Sequence, residues 1–500
     1  MARRRVVPYT LCLLTLHLLG CSKASPIVTP AAPPNPLRQL SDDISAAIGQ
    51  PGVARAAWGI IVDSLDRNER LFELNPRTLL VPASLVKLLS VAAAVDAVGW
   101  DYRFETTVRA TGPIIDGTLR GDLLVVGAGD PSIGGRAGSD VSAWVETLRA
   151  RGIRRIDGRV IGDDDALEEP RPQLAWTWDD LGYPTGALFG ALNIAENRMA
   201  VEVTPGSEAA APTKLSVDAR ASSRPLYNRT VTAAAGSEPL LWPEQRPGEP
   251  FLTIAGSIPA GAPPAQLYVS AGNPTSWFAS VLRHALITGG IDVTGEALDV
   301  DDTMPPPDRD HAEVLHVHRS ATLAEIVQPL LKDSINLYGE ALLRLNASPG
   351  VFPTNDAALD GLRTRLDGWG VSGDSWQVVD GSGLSRRNAV APEVIVAILR
   401  RMYDRAGTSP WMTALPVAGH DGTLAGRMKG TPADGNARAK TGTMSNIRTI
   451  GGYVRTRDGE TLAFAVMADG FEGRASAATE AIDRIVVRLA AFSRSAVQAR

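Results

Sequence analysis

Apolar positions along the chain change their spacing in a way that divides it into blocks. The apolar run Leu88 to Val98 is preceded by Pro82 and closed by Gly99, the punctuation of a helix. Before it, the pattern predicts a helix over about 38–49 and strands at Ala56–Val62 and Arg70–Leu74, joined by a polar turn through Asp63 to Asn68. After Trp100 the texture shifts. From about 104 to 312 the chain is rich in Gly, Pro, Val and Thr, with short strand-like runs such as Leu119–Val126 and Ile156–Ile161. The Pro-rich Met304–Asp308 marks a boundary, and helical and strand patterns resume from Leu323, ending in an amphipathic helix over about 473–493. The pattern predicts a split α+β domain of about 38–103 and 313–495, interrupted by a mostly β insertion of about 104–312.

The N-terminus has a different logic. Arg3, Arg4 and Arg5 precede an apolar run from Leu11 to Leu19, too short to span a bilayer stably. This predicts an export signal over residues 1–21. Leu18-Leu19-Gly20-Cys21 resembles a bacterial lipobox, which makes Cys21 the expected lipidation site and the route to a membrane. Prolines at 26, 30, 33, 34 and 36 make residues 22–37 an extended linker. The expected address is the periplasm or cell envelope.

Composition then narrows the chemistry. A formal charge of −5 with no basic face argues against a nucleic-acid partner. The only cysteines, Cys12 and Cys21, belong to the signal, so the body has no disulfide or thiolate metal site. No His-Glu-x-x-His occurs, and His316-x-His318 near His311 reads as part of an apolar strand; no metal or organic cofactor is expected. The acidic run Asp163–Glu169 reads as a solvated loop, with calcium ligation the minor alternative. Gly127-Ala128-Gly129-Asp130-Pro131 lacks the strand-then-helix setting of a dinucleotide site and reads as a structural turn.

Lysine is scarce: Lys23, Lys87, Lys214, Lys332, Lys429 and Lys440 are all there are among fifty basic residues. Lys87 nevertheless falls within an apolar run, three residues after Ser84 and on the same helical face. A lysine where arginine is the habit suggests a group that must lose its proton. Two later stretches complete a pattern: Ser334-Ile335-Asn336, and Lys440-Thr441-Gly442-Thr443 before a strand-like run from Arg448. Ser-x-x-Lys, Ser-x-Asn and Lys-Thr-Gly, in that order, match the three elements of penicillin-binding proteins and serine β-lactamases. Serine is a poor nucleophile without a base in reach. Burial and a like charge such as Lys440 would free Lys87 to act as that base. Ser334 would relay a proton between Lys87 and the leaving amine, and the Asn336 amide can hold Lys87 and a substrate carbonyl. Lys440 and Thr441 suit a substrate carboxylate, and Gly442 permits close approach of the ligand. The N–H groups of Ser84 and Thr443 would form an oxyanion hole.

The chain resembles the D-alanyl-D-alanine carboxypeptidase/endopeptidase family, the class C low-molecular-mass penicillin-binding proteins. Beyond the three motifs, the resemblance rests on Gly127–Pro131, Trp178-Asp179-Asp180-Leu181, Ala191-Leu192-Asn193-x-x-Glu196-Asn197, Asp380-Gly381-Ser382-Gly383-Leu384-Ser385 and Gly419-His420-Asp421-Gly422-Thr423-Leu424, and extends over about 50–490. It implies a β-lactamase/transpeptidase-like domain, an antiparallel sheet flanked by helices, with two accessory domains nested in the insertion. The 250 residues between Ser84 and Ser334 (334 − 84) fit that arrangement. It also implies a serine DD-peptidase acting on peptidoglycan stem peptides, with β-lactams as inhibitors. Asp179 or Asp180, and Arg386, become candidates for contacting the peptide. Gly182-Tyr183-Pro184 is less aromatic than the family's stretch, which leaves the peptide preference open. A serine β-lactamase, a non-catalytic penicillin-binding wall lipoprotein and an esterase on the same scaffold remain as alternatives.

Overall fold

The computed structural model describes residues 35–138, 140–217, 224–404 and 409–495. The export signal, Cys21 and most of the linker lie outside the described residues. The first helix begins at Pro36 rather than after the linker, because Asn35 caps it and proline is at home in a first turn. Among the described residues no helix is long and apolar enough to cross a membrane.

The two ends of the chain build one sheet. Its five antiparallel strands run Glu69–Leu74, Ala57–Ser64, Thr461–Asp469, Ile447–Arg455 and Arg438–Met444. Side chains alternate between two cores, as a pleat of period two requires. Ile60, Val62, Phe464 and Val466 join Leu40 and Ile44 of the first helix and Ile482 and Ile485 of the last, Ala475–Ala490. Ile61, Ala463, Ala465 and Met467 join the apolar helix Val86–Val98 and the helices from Leu323 onward. Burial on both faces explains why Thr461–Ala468 reads as a continuous apolar run.

The insertion is built of short sheets. One has the order Ala297–Asp299, Val160–Asp163, Leu123–Val126, Glu105–Ala110, Glu313–Arg319. The strand Glu313–Arg319, assigned above to the C-terminal piece, thus pairs with Glu105–Ala110 and belongs to the insertion's sheet. Each strand-like run, 119–126 and 156–161, divides into two strands at a turn. Two helices, Ser142–Ala150 and Pro274–Thr288, also lie here; their apolar faces fill a core that runs through both groups of sheets.

One expectation changes. The acidic run is not a solvated loop: Asp163 and Asp164 are buried, Leu167 enters the main core, and the Glu168 carboxylate accepts the Asn355 N–H at 2.8 Å. The three histidines do not converge. His316 and His318 lie against the Trp144 ring, and exposed His311 contacts Asp308. The Gly127–Pro131 turn is structural, with buried Asp130 accepting both the N–H and the hydroxyl of Ser132.

Candidate active site

Ser84 sits in a 3-10 turn, Ala83–Leu85, that leads directly into the helix Val86–Val98. Ala83 has φ +47°, a left-handed conformation held by its surroundings. The Thr449 hydroxyl donates to the Pro82 carbonyl at 2.9 Å, tying the turn to the sheet. Gly383 and Gly442 close in from either side. A Cβ on Gly383 would lie 2.0 Å from the Ala83 carbonyl oxygen, and one on Gly442 would lie 2.2 Å from Thr449 Oγ1 and 2.8 Å from the Pro82 oxygen. Gly442 therefore admits the close approach of the Ser84 turn to the edge strand.

Ser334 is the left-handed residue (φ +62°) between helices Leu323–Asp333 and Asn336–Arg344. Its neighbours fix this junction: Lys332 Nζ meets Asp421 Oδ2 at 2.6 Å, and Arg136 of the insertion meets Asp333 at 2.8 Å. Lys440 lies on the sheet's edge strand. A cleft of about 430 Å3 opens where these elements meet, and Ser84, Ser334, Asn336, Thr441, Thr443, Asp179, Asp180 and Arg386 all line it. Lys87 and Lys440 lie beneath its floor, both 0% exposed. A hollow of about 510 Å3 lies between the two helices of the insertion, and none of its lining residues belongs to the three motifs.

Lys87 Nζ has three oxygen partners: Ser84 Oγ at 2.9 Å, Asn336 Oδ1 at 2.7 Å and the Ser382 carbonyl at 2.6 Å. Asn336 Nδ2 donates to the Thr185 carbonyl at 2.8 Å, which turns Oδ1 toward the lysine. An amide oxygen and a carbonyl only accept, so Ser84 is the one partner that can reverse its bond and donate. A neutral Lys87 would give its two N–H groups to the acceptors and its lone pair to the Ser84 proton. Burial is what makes the neutral form accessible: it lowers Lys87 to about 7 from 10.5, against Asp380 and Glu340, which pull upward.

Lys440 is also lowered, by burial first and by the charge of Lys87 second. Its Nζ donates to Ser334 Oγ at 2.9 Å and to the Thr441 carbonyl at 2.7 Å. Two expectations are thereby revised. The like-charge effect is felt at Lys440 while burial governs Lys87, and the Ser334 hydroxyl is bonded to Lys440 while Lys87 is committed to Ser84, Asn336 and Ser382.

The sequence reading missed what stands behind Lys87. Buried Glu340 accepts the N–H groups of Gly381 (3.1 Å) and Ser382 (2.9 Å), orienting the carbonyl that Lys87 uses. Burial raises Glu340 to about 7, with the Asp380 charge adding to the rise. Asp380 accepts from the N–H groups of Gly383 and Ser385, the Asn388 amide and the Trp176 indole. The Trp176 bond pins the loop that carries Asp179 and Asp180 to the same turn. The available signal was Glu340 itself, an acid four residues after Asn336 and four before Arg344 on one helix face.

The three low-motif candidates differ in kind. Asp180 accepts from Thr177 Oγ1 at 2.7 Å and from its N–H, so it shapes the loop. Asp179 and Arg386 are exposed, and neither has a hydrogen-bond or ion-pair partner among the described residues.

Comparison with known proteins agrees with this geometry. The D-alanyl-D-alanine carboxypeptidase of an Actinomadura species is 35% identical over 98% of this chain and 91% of its own. Penicillin binding protein 4 from Haemophilus influenzae, free, superposes with a TM-score of 0.77 at 24% identity, over 90% of this chain and 98% of its own. The same protein complexed with a β-lactam gives 0.71 at 22% identity, over 89% and 97%. The family profile D-Ala-D-Ala carboxypeptidase 3 (S13) matches residues 40–492, and the chain belongs to that family.

Proposed function

We propose that this protein is a serine-type D-Ala-D-Ala carboxypeptidase, a DD-endopeptidase or both, acting on peptidoglycan stem peptides through an acyl-enzyme at Ser84. The single observation that carries the reading is the Ser84–Lys87 contact of 2.9 Å, with Lys87 buried and its other two partners pure acceptors. In the first step Ser84 Oγ attacks the penultimate D-Ala carbonyl carbon as its proton passes to Lys87 Nζ. The oxyanion is met by the N–H groups of Ser84 and Thr443. The C–N bond then breaks. Ser334 Oγ gives its proton to the leaving amine and is refilled from Lys440, the lysine to which it is bonded. Lys87 then gives up its proton to solvent and Lys440 recovers one, which returns both lysines to their starting states. Water attacks the ester carbonyl as its proton passes to Lys87, and collapse of the tetrahedral intermediate returns that proton to the departing Ser84 Oγ. Lys440, Thr441 and Thr443 receive the terminal carboxylate. Asp179 lines the cleft and would meet a free amine on the stem-peptide side chain, while Arg386, also in the lining, would suit a carboxylate. No step calls on a metal or organic cofactor.

β-Lactams enter the same path, because their amide mimics the scissile bond while the leaving nitrogen stays tethered. The Haemophilus protein's β-lactam complex supports this. An export signal and a lipid anchor on Cys21 would hold the enzyme beside the wall, with 22–37 as spacer and 104–312 as accessory domains.

The test is product analysis. Purified enzyme incubated with uncross-linked pentapeptide and with cross-linked muropeptides should release D-Ala from the first, open the D-centred link in the second, or do both. Ser84→Ala should do neither. Turnover surviving that change would overturn the proposal.

A further inference from the structure

The loop after the strand Val160–Asp163 gathers acids without gathering cations to match. One carboxylate oxygen each from Asp164, Asp165 and Glu169 lie within 4.8 Å of one another. Arg309 pairs with Asp163 and Asp165, and Arg171 pairs with Glu168. Among the described residues no cation pairs with Asp164 or Glu169. Asp299 and Asp301, from the adjacent strand end and the turn after it, face the same place and raise Glu169 after burial does.

Asp164 is the second, independent sign. It is 1% exposed, and its Oδ2 is engaged by the Thr275 hydroxyl. Its Oδ1 is buried and has no hydrogen-bond partner among the described residues. Native proteins rarely leave a buried carboxylate oxygen unpaired, since the lost hydration must be replaced by something. Protonation is one answer, and burial does push Asp164 up to about 7. A cation is the other, and it would also answer Glu169, which has no pairing cation among the described residues.

We propose that Asp164, Asp165 and Glu169 form a binding site for a divalent cation of the calcium type. The donors are all carboxylate oxygens with no imidazole or thiolate among them, which disfavours zinc. One buried and two exposed, loop-borne carboxylates offer the adaptable, incomplete shell that calcium fills with water, where magnesium demands a near-ideal octahedron. Position gives the site a purpose. The same loop sends Leu167 into the core of the peptidase body and Glu168 to the N–H of Asn355. A bound cation would fasten the insertion's sheet to that body.

Calorimetric titration of chelator-stripped enzyme with calcium chloride, and thermal melts with calcium or with chelator, test this. Wild type should bind one calcium per chain and melt a few degrees higher with it. Glu169→Gln, at an exposed position, should fold normally and bind at least about tenfold more weakly. Asp164→Asn should lose the calcium response yet melt no lower than wild type in chelator, because it removes an uncompensated buried charge. A control, Asp310→Asn, should behave as wild type. No calcium binding by wild type, or unchanged binding in both Asp164→Asn and Glu169→Gln, would overturn the proposal.

Discussion

Acidification should switch off Ser84 along a limb set by Lys87. The lysine is lowered to about 7 from 10.5 because it is fully buried, its three partners being uncharged oxygens. At pH 7 about half of Lys87 is then neutral, against roughly 3 in 10,000 for an ordinary lysine, a gain of about 1,500-fold in competent base. Below that point the neutral fraction falls about tenfold per pH unit, so acylation at pH 5 should be roughly 50-fold slower than at pH 7. Above about pH 8 the rate should level. The assay is the second-order rate of acylation by a fluorescent penicillin, followed from about pH 5 to pH 10, with melts to exclude unfolding. The sign for stability is also fixed. Between about 7 and 10.5 the unfolded chain holds a proton that the folded one has shed, so this group's penalty on folding is relieved as pH rises through that window. An acylation rate still climbing tenfold per unit beyond pH 9 would refute the reasoning, since Lys87 would then titrate as a solvated lysine.

Glu340→Gln keeps one acceptor for the N–H groups of Gly381 and Ser382 and loses the other, which should cost about 1–3 kcal/mol in a denaturant melt. It also removes a charge that favours the Lys87 ammonium, so the acid limb of acylation should move to lower pH; a limb that moves up contradicts the assignment. Gly442→Ala places a methyl 2.2 Å from Thr449 Oγ1 and should part the Lys440 strand from the Ser84 turn, lowering acylation on the order of 100-fold with a smaller change in the melt. Asp179→Asn should lower kcat/KM about tenfold for peptides with a free side-chain amine and leave acetylated peptides unchanged. Asp180→Asn, which loosens the Thr177 cap, should weaken both peptides alike.

What the sequence disclosed was what depends on residue type and order. Ser84, Lys87, Ser334, Asn336 and Lys440, the residues proposed for the chemistry, stand in short, spaced motifs, and a lysine inside an apolar run is visible without coordinates. The sheet's strands were partly legible as apolar runs at the two ends of the chain, such as Ala57–Ser64 and Ile447–Arg455. Pairing was not. Glu313–Arg319 looks the same whether it joins the peptidase sheet or Glu105–Ala110, and only long-range register decides. Burial of acids was equally hidden. Asp163-Asp164-Asp165 reads as solvated until Arg309 and Thr275 arrive from more than a hundred residues away. Glu340 and Asp380 were overlooked for the same reason, since their partners are backbone N–H groups and an indole brought in by folding. The partner of Ser334 turned on which of two buried lysines lies nearer, a matter of ångströms that spacing does not encode.

The central claim is that Ser84 is the group acylated, with Lys87 as its base. Its most direct test is mass spectrometry of enzyme mixed with penicillin, by intact mass and by peptide mapping. The account predicts one penicilloyl adduct per chain, on the peptide containing Ser84, released slowly, absent from Ser84→Ala and strongly retarded in Lys87→Met. An adduct on any other residue, or one that persists in Ser84→Ala, would contradict it.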